Sequence, residues 1–205
     1  MENLNEVLRI RRDKLTKLQE MGRDPHKIDC YNRTHFAKDI TDRFDEHEGK
    51  VVQIAGRIMA NRHMGKTSFI DIQDSTGRIQ SYIRKDAIGE EEYEVFKTYD
   101  IGDIVGVKGE VFRTQKNEIS VKAEEVVLLT KSLQILPEKF HGLKDVETRY
   151  RQRYVDMIVN PEVRTNLRKR FRIMSEMKQY FVEEGFLEVE TPVLSVIAGG
   201  ANAKP

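Results

Sequence analysis

Two aromatic side chains stand where a half-buried strand would show water a polar residue. Phe69 lies between Ser68 and Ile70, and Tyr82 between Ser81 and Ile83. Each falls on the polar face of an alternating run, beside Gln73, Arg78, Gln80 and Arg84. A ring left outside in this way can stack an unpaired nucleic-acid base. Gln80 suits a base edge, because its amide offers a donor and an acceptor together. Arg62, in a polar stretch read as a loop over Asn61–Gly65, would clamp a phosphate or a base. Glu118, expected to open a strand at the edge of the same face, accepts from a base amino or imino group. The pattern has a second reading, in which Phe69 packs beneath a loop and the others are ordinary surface. Alternation alone leaves both open.

Other reactive groupings are scarce. Arg164, Arg168, Lys169, Arg170 and Arg172 form either a phosphate track or a solvated helix face, and Arg149, Arg151 and Arg153 carry the same ambiguity. No nucleophile–base pair, phosphate-binding Gly-rich loop or carboxylate dyad stands out. The five histidines are scattered and there is one cysteine, Cys30, so no zinc-ligand spacing exists. A lone cysteine forms no internal disulfide and fits a reducing compartment. Arg9, Arg11, Arg12 and Lys14 interrupt any apolar core of a signal peptide, and no apolar run reaches membrane-span length. The 35 basic and 34 acidic residues leave a net charge of +1. Bulk charge therefore does not announce a polyanion partner, and local clusters must carry that argument.

The elements that would position these residues follow from periodicity. Leu4, Val7, Leu8, Leu15 and Leu18 line one face of a first helix, ended by Gly22 and Asp24-Pro25. That helix is either packed on a neighbour or a basic arm. Residues 25–48 look turn-rich, with one short strand at most. Val52, Ile54 and Ile58 begin a run of alternating segments that continues through Ser68–Ile72, Ile79–Ile83, Val105–Val111 and Ile119–Ala123. A helix over Glu90–Tyr99, with Tyr93, Phe96 and Tyr99 inward, interrupts it. Three strands, a helix and two strands is the order of an OB-fold barrel, whose ligand face lies on strands two and three and adjoining loops. The expected divisions are an extension over 1–48, the barrel over 49–130, a linker over 131–147 and a second domain from 148.

The last part reads as the opening of a domain. Asn160-Pro161 starts a helix striped by Val163, Leu167, Phe171, Met174, Met177 and Phe181, and Gly185 stops it. A strand is expected at Phe186–Val189, and it needs sheet neighbours that no later segment of these 205 residues supplies.

The segments Ala55–Met59, Met64-Gly65-Lys66, Ile72-Gln73-Asp74, Gly77–Gln80, Gly102–Gly106, Phe140–Leu143, Arg149–Tyr154, Glu188–Pro192 and Gly199-Gly200-Ala201 together make the chain similar to bacterial class II lysyl-tRNA synthetases over its whole length. The resemblance implies an α+β protein: a five-stranded OB-fold with an N-terminal helix, then the incomplete start of a class II antiparallel α/β catalytic domain. It implies that Arg62, Phe69, Gln80 and Glu118 contact a U-rich lysine anticodon, the ring stacking on the central uridine. It implies a backbone contact from Gly199 to lysine, a homodimer built by motif 1 around Pro192, and a cytoplasmic enzyme. ATP and Mg2+ are the cofactors of the full-length family enzyme. Motifs 2 and 3 are not among these residues, so residues 1–205 alone are expected to bind neither cofactor, to supply no catalytic residue or metal site, and to be inactive. The rival readings are a non-enzymatic tRNA-binding or regulatory module, and an aspartyl- or asparaginyl-type synthetase.

Overall fold

Isoleucine and valine at every second position, with polar residues between them, make half-buried strands, and five such strands close a barrel here. The structure is a computed structural model that describes residues 2–137 and 143–194. Its two units are residues 1–136 and 137–205. In the first, β1 (Val51–Met64), β2 (Thr67–Gln73), β3 (Arg78–Arg84), β4 (Ile104–Arg113) and β5 (Ile119–Thr130) run in the spatial order β1-β2-β3-β5-β4. The β3–β5 pairing is parallel and the rest are antiparallel. Ile54, Ile58, Ile70, Ile72, Ile83, Val105, Val107 and Val121 fill the interior. At Gly109 only hydrogen fits: a Cβ there would lie 2.0 Å from the Lys122 carbonyl oxygen across the β4–β5 ladder.

One strand is longer than its hydrophobic pattern. β1 pairs with β4 through Val51–Arg57 and with β2 through Arg57–Met64, and its register slips between Ile58 and Ala60. An extra residue of this kind bends a strand and raises its twist, so β1 turns from one neighbour to the other without ending. The expected loop at Asn61–Gly65 is therefore strand as far as Met64, and the connection is a tight turn at Gly65, whose φ is +64°. Polar side chains disguised it: beyond Ala60 the strand keeps its ladder but loses its alternation.

Residues 25–48 also differ from expectation. They hold a 3-10 turn at Pro25–Lys27 and two short helices, α2 (Ala37–Asp42) and α3 (Phe44–His47), and no strand. Ala37, Ile40 and Phe44 are buried in the barrel's own core cluster. Asp74, in the β2–β3 turn, accepts from the Ala37 N–H at 2.6 Å and from Thr76 and Gly77 at 2.6 and 2.9 Å. Burial pushes its carboxyl up, but these backbone donors outweigh that and hold it below the usual carboxylate range. Between β3 and β4 lie α4 (Lys85–Ile88) and α5 (Glu90–Phe96), and Tyr93, Phe96 and Tyr99 are buried as their spacing predicts.

The first helix, α1 (Glu2–Glu20), buries Leu18, whereas Val7 and Ile10 are exposed. It is fastened by charge more than by its stripe. Arg11 donates to the carbonyls of Ser132, Gln134 and Ile101 at 2.8–3.1 Å, and Lys14 reaches Asp100 at 2.7 Å. Lys131 lies fully buried between Asp100 and Asp103, at 2.5 and 2.7 Å. Two of the basic residues that suggested a nucleic-acid arm are thus occupied inside the protein.

The second unit carries α6 (Val146–Arg151), α7 (Arg153–Val159) and α8 (Pro161–Glu183). Asp156, wholly buried, accepts from Arg149, Arg153 and Asn160 at 3.0, 2.6 and 2.6 Å. α8 buries no residue: Phe171, Met174, Met177 and Phe181 are 47–62% exposed. It ends as Gly185 predicts, with φ +86°, the Phe186 N–H on the Phe181 carbonyl at 2.9 Å, and the two rings edge to face. The expected strand at Phe186–Val189 does not form. Among the described residues this unit contains no strand with which it could pair, and an unpaired strand has no partner for its backbone groups. No described helix is long and apolar enough to cross a membrane.

Candidate nucleic-acid interface

Because side chains alternate along a strand, register fixes which residues share the outer face of the barrel. Arg62 lies opposite Phe69, Phe69 opposite Tyr82, and Tyr82 opposite Lys122, which makes one row across β1, β2, β3 and β5. The next row is Ala60, Asp71, Gln80 and Ser120. Three of the four expected contact residues thus lie in two adjacent rows. Glu118, just before β5, reaches the second row through its side chain.

The aromatic row is a stack. The Phe69 and Tyr82 rings lie 4.8 Å apart at 27°, and Phe112 on β4 lies 6.1 Å beyond Tyr82. At that spacing and angle the rings meet face to face. Tyr82 therefore covers one side of Phe69 and leaves the other toward Arg62. Phe69 is half-buried, as a ring packed on one face must be. Arg62 is a strand residue and its guanidinium pairs with Asp71 at 3.1 Å, with half of its side chain exposed. It remains at the edge of the face, held from within the sheet instead of hanging from a loop.

Gln80 is more enclosed than an open base reader, at 6% exposure. Its Nε2 donates to Glu118 at 2.9 Å, and its Oε1 accepts from Ser120 Oγ at 3.1 Å. Glu118 is exposed and sits in the turn that Asn117 makes with φ +64°. Its N–H donates to Thr114 Oγ1 at 3.1 Å. Beneath the β1–β2 hairpin, His63 Nδ1 meets Ser68 Oγ at 2.8 Å, and Ser68 meets the Tyr93 hydroxyl at 2.8 Å. Burial, helped by nearby Lys97, pushes the His63 imidazole down. These contacts pin the hairpin that carries Arg62 and Phe69.

The sequence reading did not single out Phe112, Asp71 or Ser120. Phe112 carried the signal that marked Phe69, an aromatic on the polar side of an alternating strand. Asp71 and Ser120 gain their meaning from neighbours on other strands. Of the two basic runs, Arg149 and Arg153 are turned onto Asp156, and Arg151 pairs with Glu147 at 2.6 Å. Among the described residues no group of three or more His, Cys, Asp or Glu side chains is placed to hold a metal ion. Pro192 is exposed, and Gly199 lies outside the described residues.

Comparison with known proteins agrees with the fold. Residues 52–129 match the OB-fold nucleic acid binding domain of the tRNA anti-codon family, and residues 145–205 match the class II tRNA synthetases (D, K and N). The lysine–tRNA ligase of Thermoanaerobacter pseudethanolicus is 55% identical over 204 residues, which is 100% of this chain and 41% of the relative. Those of Syntrophomonas wolfei and Bacillus cytotoxicus are 53% and 51% identical, over 99% and 100% of this chain and 41% and 42% of the relatives. Over its whole length the chain is similar to lysine–tRNA ligases. It spans about two fifths of the length of these relatives, and holds the anticodon-binding barrel and the start of the catalytic domain. A free-standing binding module is not favoured, because the match to class II synthetases continues from residue 145 to residue 205.

Proposed function

We propose that the outer face of β2, β3 and β5 reads the U-rich anticodon loop of lysine tRNA for a ligase that joins lysine to that tRNA in the cytoplasm. The observation that carries this reading is the one-sided aromatic platform of Phe69 on Tyr82, set beside the Gln80–Glu118 pair. A base stacks on the open face of Phe69, and its edge meets Gln80 and Glu118. Single-stranded loops are read in this way, by stacking and edge contacts together. Arg62, at the rim, holds a base or the adjoining phosphate.

The family implies ATP and Mg2+ for lysine activation. Among the described residues no group of three or more His, Cys, Asp or Glu side chains is placed to hold a metal ion. The exposed stripe of α8 and the segment around Pro192 are the faces we assign to a symmetric homodimer, since apolar patches of that kind mark association surfaces.

The test is the affinity of the chain for an RNA stem-loop bearing the lysine anticodon. Stacking on an aromatic is worth about 1–3 kcal/mol per base, so Phe69→Ala should weaken binding roughly 5- to 140-fold. A folded Phe69→Ala variant that binds as tightly as wild type removes the ring from the interface.

A further inference from the structure

Gln80 raises a problem of polarity. An amide can sit either way round in the same pocket, and the two orientations present opposite hydrogen-bonding groups. Two neighbours decide between them. Glu118 offers a carboxylate oxygen to one end at 2.9 Å, and an ionised carboxylate only accepts, so the NH2 group must face it. The amide oxygen then points to β5. There Ser120, opposite Gln80 in the parallel ladder, donates its hydroxyl hydrogen at 3.1 Å. Ser120 is fully buried, and among the described residues its hydroxyl's other hydrogen bond is a longer one, donated to the Glu118 carbonyl at 3.4 Å. A residue with no exposure touches no RNA, so any effect it has on recognition acts through Gln80.

Gln80 Nε2 carries a second hydrogen and Glu118 a second carboxylate oxygen. A donor therefore stands beside an acceptor at the rim of the aromatic platform. That pair complements a base edge whose carbonyl oxygen adjoins a ring N–H, as in uracil. Cytosine offers a bare ring nitrogen where Glu118 needs a hydrogen, and an amino group where Gln80 needs an acceptor.

We propose that Ser120 is a positioning residue that locks the Gln80 amide and thereby sets the preference for uridine over cytidine at the stacked position. The proposal rests on the reading of this face as an anticodon reader. Without the hydroxyl, the buried amide oxygen loses its donor, and an unmet buried acceptor is costly. The amide then turns over or swings toward water, which breaks its bond to Glu118 and frees both side chains.

The experiment uses the full chain and two RNA stem-loops that differ only in uridine or cytidine at the middle of the lysine anticodon. Four substitutions are compared with wild type: Ser120→Ala, Ser120→Thr, Ser120→Val and Glu118→Gln. Thr and Val have the same shape and differ by the hydroxyl, so that pair decides if Ser120→Ala does not fold. Ser120→Ala and Ser120→Val should lose about five- to tenfold of the uridine preference, as expected for one hydrogen bond to a polar partner. The loss should fall on the uridine loop and leave the cytidine loop nearly unchanged, whereas Ser120→Thr should keep the preference. In a Glu118→Gln background, Ser120→Ala should add little, because the polarity of the amide is then no longer set. An unchanged preference in Ser120→Ala or Ser120→Val, or an equal loss for both loops, overturns the lock and leaves the anticodon reading standing. A wild-type chain that binds neither loop, or does not distinguish them, overturns both.

Discussion

Replacing Lys131 by Met should destabilise the first unit by about 3 kcal/mol. The side chain is wholly buried and sits 2.7 Å from Asp103, also wholly buried, and 2.5 Å from Asp100. Breaking a buried pair by removing one partner typically costs about 3–5 kcal/mol, because the other charge stays in place without compensation. The lower end applies here. Asp103 keeps the N–H groups of Asp100 and Ser132, each at 2.8 Å, and Asp100 keeps Lys14 at 2.7 Å. Met fills much of the lysine's volume, so the cavity contribution is small. For a unit of this size, the loss corresponds to roughly 10 °C in Tm. The pH dependence separates charge from packing. Burial pushes the Asp100 carboxyl up, but Lys131 and Lys14 outweigh it and hold the group below its usual value. In wild type the resulting stabilisation is present above the unfolded carboxylate value, about 3.9, and is lost as pH falls through the lower folded value. Without Lys131, the Asp100 carboxyl loses the larger of its two lysine partners and titrates at higher pH, so its protonation relieves the variant first. Urea unfolding followed by circular dichroism should therefore give a large loss near pH 7 that shrinks toward about pH 4.5 as Asp100 protonates, with Asp100→Asn, whose oxygen can keep Lys14, partly restoring the neutral-pH value. A loss below about 1 kcal/mol, or one equal at both pH values, would refute the charge argument.

Three further outcomes are expected. Gly109→Ala should lower Tm sharply, since its Cβ would meet the Lys122 carbonyl oxygen at 2.0 Å, and should disturb β4–β5 amides in an NMR spectrum; a shift of only a degree or two would show that the ladder yields. Amide exchange at dilute protein should be slow through the barrel strands from Val51 to Leu129 and fast along α8, where no residue is buried; equally slow exchange in a monomer would mean that the second unit is stable alone. Stability should also fall on acidification from about pH 7.5 to 5.5: burial keeps the His63 pKa below its unfolded value of about 6.5, so the unfolded chain takes up the proton first, and His63→Gln should flatten that slope.

The barrel was legible because its strands alternate, and the alternation reports the inner face directly. Where a strand is polar on both faces the signal vanishes, which is why the second half of β1 read as a loop and Arg62 as a loop residue. α2 and α3 were missed because three apolar residues, Ala37, Ile40 and Phe44, are too few to announce a helix; their helical spacing becomes persuasive only once the core that receives them is known. Outward aromatics were visible from sequence, since a ring on a polar face breaks the pattern. Their partnership was not. That Tyr82 covers one face of Phe69, that Asp71 holds Arg62, and that Ser120 meets Gln80 are facts of cross-strand register, which neither composition nor spacing within one segment contains. The strand foreseen at Phe186–Val189 fails for a related reason: local preference makes a candidate, and a ladder partner makes the strand.

The central claim is that the outer face of β2, β3 and β5 meets the anticodon loop. Its most direct test is to titrate a lysine anticodon stem-loop into isotope-labelled chain and follow backbone amide shifts. The account predicts saturable changes concentrated at Arg62, Phe69, Gln80, Tyr82 and Glu118, weakening as salt rises because phosphate contacts release counterions. Changes centred on α1 or α8 that leave those five residues unmoved would contradict it.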